Sequence, residues 1–192
     1  MTNIRRAIVL ALVLSGLLVG CHPSIMALPQ ASTSVSLPSS KPVTPAKLPD
    51  MPNIPFENLA QGDSYTAEVE TPTLFVATNA AQAARFTQWL NNTDITNQIQ
   101  AVDFNTTWVV AVFRGQVGSS GYGIAVEEIS TAPKTVQLKV NVTEPAPDRA
   151  VSTVISYPYH IILIPREKLR VAPGTIWSVY TTEGKLLVQT YP

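Results

Sequence analysis

The sequence predicts a mainly β domain of α+β type, an antiparallel β-sandwich or a partly open barrel with one packed helix. Two observations carry this fold class. From residue 56 onward, short runs of apolar and β-branched residues are separated by turn residues. Within that region, the segment 135–143 alternates apolar and polar side chains, as a strand with one buried face does. Only one stretch has clear helical spacing, so a single helix is predicted.

The first 20 residues have the features of a signal peptide. Arg5 and Arg6 precede the apolar run 7–20. This run is shorter than the roughly 20 residues that a membrane-spanning helix needs. A positive start followed by a short apolar run predicts a signal peptide at 1–20.

Cys21 is the only cysteine of the chain, and it directly follows Leu18-Val19-Gly20. This arrangement resembles the bacterial lipobox, in which the cysteine sulfur receives a diacylglyceryl group and the leader is cleaved off directly N-terminal to that cysteine. The resemblance implies that lipidated Cys21 anchors the protein to a membrane, because two or three acyl chains suffice for stable attachment. It also implies an extracytoplasmic location in a bacterial cell envelope.

Residues 21–55 are predicted to form a stalk behind the lipid anchor. Eight of the 16 prolines of the chain fall in this segment, which shows neither helical nor alternating periodicity. Proline lacks a backbone donor and fixes φ, so such a segment cannot build a packed element. The folded domain is accordingly predicted to span 56–192.

The first part of the domain is predicted to contain a strand, a helix and a loop. The strand covers 73–78, and Asn79 is placed to cap a helix over 80–90. Trp89 adjoins the apolar face of this helix and is predicted to lie in the core. Residues 91–100 are predicted to be a polar loop, although two isoleucines four residues apart leave a second helical turn open.

The rest of the domain is predicted to be a series of strands. They are placed at 107–114, 122–129, 135–143, 150–157, 159–164, 175–181 and 185–191. The run 107–114 is almost continuously apolar, as expected of a central strand that is buried on both faces. Glu183-Gly184 is a plausible hairpin turn between the last two strands.

Composition argues against several classes of function. The 13 basic and 13 acidic residues leave no positive surplus for nucleic acid. One cysteine and two histidines cannot build a zinc-finger array, and no cofactor is predicted. The motifs of zinc proteases, serine hydrolases and P-loop nucleotide-binding proteins are absent from the sequence. We therefore expect no enzymatic activity, with an envelope hydrolase as the least favoured alternative.

The most distinctive segment of the domain is the glycine-rich stretch 115–123. It precedes a strand rather than a helix, which argues against a phosphate site at a helix N-terminus. Two interpretations stay open: a turn that needs positive φ angles, or a binding loop on a rigid β scaffold. His160 lies within an apolar strand and is predicted to be hydrogen-bonded for structural reasons.

The region 56–166 contains a series of segments in a recognisable order: Phe56-Glu57-Asn58-Leu59 with Gly62, the helix with Trp89, Val102-Asp103-Phe104, Val112-Phe113-Arg114-Gly115, the loop Gly118 to Tyr122, Ile124 to Ile129, Val140 to Pro145, and Tyr157-Pro158-Tyr159-His160-Ile161-Ile162. Together these segments resemble the C-terminal domain of the PrcB family, whose namesake is a protease complex subunit. The loop departs from the usual Thr-Gly-Gly-Tyr of the family by reading Ser119-Ser120-Gly121-Tyr122, and an extra hairpin follows Arg166.

The PrcB resemblance implies a non-catalytic lipoprotein module that binds another protein, with an accessory or stabilising role in an envelope protease complex. The residues expected to bind the partner are Gly118, Ser119, Ser120, Gly121, Tyr122, Gly123, Tyr159 and His160. A protease inhibitor is the alternative. The segment 120–122 is loosely similar to the loop that chagasin-like inhibitors project from a β-sandwich.

Overall fold

The computed structural model describes residues 51–169 and 171–191. The predicted signal peptide, Cys21 and most of the predicted stalk lie outside the described residues. In the described ranges, eight strands form two separate four-stranded sheets, and neither sheet closes into a barrel. The structure confirms a mainly β fold, and of the two predicted architectures it is the sandwich.

The first sheet is antiparallel throughout. Its strands follow the order β1 (Glu57–Ser64), β6 (Tyr157–Pro165), β3 (Thr107–Phe113) and β2 (Thr73–Ala77). The central strand β3 is buried on both faces, from Trp108 to Phe113. This burial explains its continuous apolar sequence.

The second sheet contains one parallel pair. Its strands follow the order β4 (Gly123–Ala132), β5 (Thr135–Thr143), β7 (Ile176–Thr181) and β8 (Leu186–Thr190). The predicted alternation in β5 is confirmed, since Leu138 and Val140 are buried whereas Lys139 and Asn141 are exposed. The sequence did not predict that β5 and β7 run parallel.

One hydrophobic core lies between the two sheets. Trp108 of β3 and Trp177 of β7 stack there, with ring centroids 6.1 Å apart. Trp177 belongs to the extra hairpin noted in the sequence, β7 with β8. The hairpin is therefore an integral part of the sandwich.

A second core lies on the other face of the first sheet, under two helices. The helices are α1 (Ala80–Thr87) and α2 (Thr93–Gln100). Asn79 caps α1 as predicted, its side chain accepting a hydrogen bond from the backbone N–H of Gln82 at 2.9 Å. Trp89 packs on Phe75, 5.0 Å away between ring centroids, which confirms its predicted core position. In the described ranges no helix is long and apolar enough to cross a membrane.

Three predictions of the element map need correction. α2 is a full helix where a polar loop, with a helical turn left open, was predicted, so the described residues contain two α-helices instead of one. β1 was not predicted at all. The strand predicted at 150–157 is wrong for 151–155, which form no ladder. In addition, residues 52–54 of the predicted stalk pair with the edge of β4, and Ile54 is buried in the core between the sheets. The packed unit therefore begins before residue 56.

Candidate functional site

Two irregular segments lie side by side at one end of the sandwich. One is the glycine loop, residues 115–122, between β3 and β4. The other is the connector, residues 144–156, between β5 and β6. The connector, with 13 residues, is at the length from which loops without secondary structure become uncommon in compact domains, and many such loops are functional.

The glycine loop is tied along its length to the connector. Val117 and Ser156 exchange both backbone hydrogen bonds, at 2.9 and 3.0 Å. Nearer the tip, the N–H of Ser120 donates to the carbonyl of Ser152 at 2.9 Å. The N–H of Ser152 donates in return to Oγ of Ser120 at 3.0 Å. The two segments therefore form one surface, called here the loop surface and defined as residues 116–122 and 151–155.

Two glycines of the loop adopt conformations that other residues rarely adopt. Gly115 has φ +93°, and a Cβ atom added to it would lie 2.8 Å from the carbonyl oxygen of Glu70. Gly121 has φ +90°, and its Cβ would lie 3.1 Å from Pro145. The interpretation as a turn that needs positive φ is thus correct for these two positions. The restricted backbone at the two glycines also gives the loop surface a defined shape.

Arg114 contacts both ends of the glycine loop's surroundings: the Tyr122 ring at its end and the first residue of the connector. Its guanidinium lies 4.5 Å from the centroid of the Tyr122 ring and forms an ion pair with Glu144 at 3.0 Å. It also donates hydrogen bonds to the carbonyl oxygens of Gly123 and Thr143. One largely buried cation therefore links the end of β3, the start of β4 and the start of the connector.

The loop surface exposes apolar side chains. Six large hydrophobic side chains are exposed within the described ranges, and three of them, Val151, Val154 and Ile155, belong to this surface. Ile155 is 55% exposed. Tyr65, which is 57% exposed, follows directly on Ser64, the β1 residue that pairs with Tyr157. Such a concentration is typical of a surface that a partner covers.

His160 was predicted from sequence to contribute to partner binding, but its side chain lies beneath the surface. It is 2% exposed and faces the core between the sheets. Its Nδ1 accepts a hydrogen bond from the backbone N–H of Val126 at 2.7 Å, next to a bulge in β4. Nδ1 is therefore unprotonated, and burial lowers the pKa of His160 from its usual value. The hydrogen bond that the sequence predicted for this histidine is present.

Tyr159 is likewise buried, on the helix-covered side of the first sheet. It is 4% exposed and packs against Phe113 with ring centroids 5.8 Å apart. Burial, and secondarily the charge of Asp63, raises the pKa of its hydroxyl. Neither Tyr159 nor His160 contributes a side chain to the loop surface, although both belong to the strand that continues from it.

A separate groove of about 610 Å³ crosses the outer face of the second sheet. It is lined on one side by Met51 and Asn53 and on the other by the β7–β8 turn. On its floor, Gln137 has an amide oxygen that is buried without a hydrogen-bond partner among the described residues. Within the same residues, no group of three or more His, Cys, Asp or Glu side chains is placed to hold a metal ion.

The family comparison points to the strands that flank the loop surface. Residues 108–165 match the family model described as PrcB C-terminal. The predicted PrcB resemblance is thereby confirmed for this segment. The PrcB match runs from Trp108 in β3 to Pro165 at the end of β6, so it contains the whole loop surface. It does not contain β1, the two helices or the β7–β8 hairpin. No curated protein and no solved structure was found to match the chain.

Sequence reasoning found the glycine loop but missed the two features that complete the site. Arg114 belongs to a segment that carries the PrcB resemblance, but its contacts could not be predicted, because its partners are backbone carbonyls, the Tyr122 ring and one acidic residue about 30 positions away. The apolar residues of 151–155 were predicted to belong to a strand at 150–157, with no indication that they are exposed. Their exposure became visible only with the topology, which leaves this segment at a sheet edge.

Proposed function

We propose that this protein is a non-catalytic binding subunit of a bacterial envelope protease complex, and that the loop surface contacts its protein partner. The single observation that carries the proposal is the coincidence of the PrcB match with the exposed apolar residues Val151, Val154 and Ile155. An apolar patch on a braced loop is a common form of binding surface. The partner is proposed to be a protease because of the name of the matched family.

The proposal includes membrane attachment through lipidated Cys21. The lipobox resemblance and the proline-rich sequence that follows it support an anchored module on a spacer. In this arrangement the lipid fixes the location and the folded domain selects the partner. The anchor and the loop surface are thus two independent parts of the proposal.

The geometry of the loop favours binding over protease inhibition. A loop that inserts into a protease cleft needs a tip that stands clear of the neighbouring segments. Here Ser120 is bonded to Ser152, and Gly121 lies against Pro145, so the tip of the glycine loop packs on the connector. The loop surface instead exposes the apolar side chains of Val151, Val154 and Ile155.

The proposal is tested by crosslinking in membranes of the native host, followed by purification of the full chain and quantitative mass spectrometry. Wild type is compared with Ile155→Asp and with the control Leu186→Asp, which changes an exposed leucine in β8. A charge at the centre of an interface typically costs about 2 kcal/mol or more, so we expect one envelope protein to be depleted at least about tenfold with Ile155→Asp alone. Equal recovery of the same proteins with both variants would refute the proposed surface.

A further inference from the structure

We propose that residues 151–155 form an open strand position, at which the partner adds an extended strand of its own. This inference rests on the proposed function and names the form in which the partner binds. The observation behind it is that the strand predicted at 150–157 forms no ladder over 151–155 among the described residues. The sequence of this segment is that of a strand, but on one of its sides no neighbouring strand is found among residues 51–169 and 171–191.

The composition of the segment is that of a strand without edge protection. Residues 151–156 read VSTVIS, with three β-branched aliphatic side chains and neither a charge nor a proline. Exposed edge strands in soluble proteins usually carry charges, prolines or bulges that prevent pairing with another chain. A segment that lacks charges and prolines is suited to pairing.

One side of the segment is already occupied by the glycine loop. Ser152 and Ser156 direct their backbone groups to Ser120 and Val117 on that side. In an extended chain successive residues direct their N–H and C=O groups to alternating sides. Ser152 and Ser156 are four residues apart and both bond to the glycine loop, which is the spacing of an extended chain. We therefore infer that the backbone groups of Thr153 and Ile155 point the opposite way. Among the described residues, no hydrogen bond is made by the backbone groups of 153–155.

The opposite side lies in line with β1. The β1–β6 ladder ends where Ser64 pairs with Tyr157. Beyond that pair the chain bends away, with the N–H of Thr66 donating to Oγ of Ser64 at 3.3 Å. A partner strand alongside 151–155 would thus lie in line with β1, beyond Ser64, and run antiparallel to the connector. It would continue the ladder that β1 forms with β6.

The groups that are left open define the chemistry of the partner. Peptide N–H and C=O groups in strand geometry are complemented by another extended backbone. The side chains beside them, Val151 and Ile155, are apolar and exposed, with Tyr65 at the end of β1. The partner segment is therefore an uncharged extended peptide rich in β-branched or aromatic residues, about five residues long at the contact.

The test uses two neighbouring proline substitutions in the full chain, purified in detergent micelles. Thr153→Pro removes an N–H that points to the open side, whereas Val154→Pro removes one that points to the glycine loop. Neither N–H is hydrogen-bonded among the described residues, and both residues are exposed. The probe is a displayed library of random 12-residue peptides, selected on the wild-type chain. The enriched peptides are then synthesised for affinity and amide hydrogen-exchange measurements.

We expect peptides rich in Val, Ile, Thr and aromatic residues that slow amide exchange at Thr153 and Ile155. In Thr153→Pro the peptides lose a backbone hydrogen bond and meet the added proline ring, so their affinity should fall at least about tenfold. In Val154→Pro their affinity should fall less than about threefold. Equal effects of the two prolines, protection at the outer-face groove instead, or self-association of the chain through this edge would overturn the inference.

The membrane crosslinking experiment separates the two proposals. If Ile155→Asp loses the partner while the two proline variants behave alike there, the binding surface stands and strand addition fails.

Discussion

At the scale of single residues, Gly115 shows why the loop surface has its shape. Its φ is +93°, and a Cβ atom at this position would approach the carbonyl oxygen of Glu70 to 2.8 Å, so the backbone leaves no room for a side chain. Gly118, three residues later in the same loop, has no atom within 4 Å of its Cβ position. The two glycines therefore make a matched pair for substitution.

Gly115→Ala should lower the free energy of unfolding by at least about 2 kcal/mol, since a left-handed conformation and a backbone clash add together. Gly118→Ala should change it by less than about 0.5 kcal/mol. Chemical denaturation followed by circular dichroism measures both. Equal stabilities would show that the backbone at Gly115 can relax, and the description of the loop would then be wrong.

His160 is the residue at which the domain should respond to acid. Its buried Nδ1 accepts from Val126, and burial lowers the pKa of His160 below 6.5. The folded state therefore favours neutral His160. The stability that the folded protein gains from the neutral, hydrogen-bonded ring is complete above about pH 6.5 and is lost as the pH falls further. The maximum slope from one such group is about 1.4 kcal/mol per pH unit.

Denaturation between about pH 5 and 7 tests this with His160→Asn and His160→Phe. Asparagine retains an acceptor for the N–H of Val126 but cannot titrate, so the dependence on pH below about 6.5 should flatten. Phenylalanine leaves that N–H unpaired and should cost about 1–3 kcal/mol at neutral pH. A wild-type slope in the Asn variant would mean that another group controls the acid response.

At the scale of elements, the sequence predicted strands with a buried face and missed elements whose form depends on their neighbours. β5 alternates because one face packs on the core, and β3 is uniformly apolar because both faces are covered. β1 (ENLAQGDS) escaped prediction because it is a polar edge strand without alternation. Segment 151–155 has strand composition, but composition cannot supply the neighbouring strand that a ladder requires.

The β7–β8 hairpin lies outside the PrcB match but should be required for folding. Trp177 is 1% exposed and stacks on Trp108 in the core between the sheets. A chain that ends at Arg166 should therefore fail to give a cooperative unfolding transition. Trp177→Ala should cost about 3–5 kcal/mol. The exposed Tyr191→Ala is the control, and a stably folded truncated chain would contradict this role of the hairpin.

At the scale of the whole molecule, we propose that the anchor and the folded domain have separate tasks. Cys21→Ser should abolish incorporation of a lipid label while leaving the unfolding transition of the domain unchanged. Labelling of cells with a radioactive fatty acid measures the first effect, and denaturation of the purified chain measures the second. Equal labelling of the wild type and of Cys21→Ser, or no labelling of the wild type, would contradict the proposed lipid anchor.

The candidate site could be predicted only in part, because the exposure of its residues depends on how the strands of the whole domain are arranged. Local sequence identified the glycine loop, because glycines at tight turns leave a recognisable pattern. It could not show that Tyr159 and His160 lie beneath the surface or that Val151 and Ile155 lie on it. Those facts depend on which sheet edge is left without a neighbour.

Contact between the loop surface and a protein partner can be detected by site-specific photocrosslinking in intact cells. Benzoylphenylalanine is placed at the position of Ile155 and, in a second strain, at that of Leu186, both exposed in the free domain. We expect a discrete crosslinked product of one envelope protein from position 155 and no such product from position 186. The same product from both positions, or from 186 alone, would contradict the proposed contact.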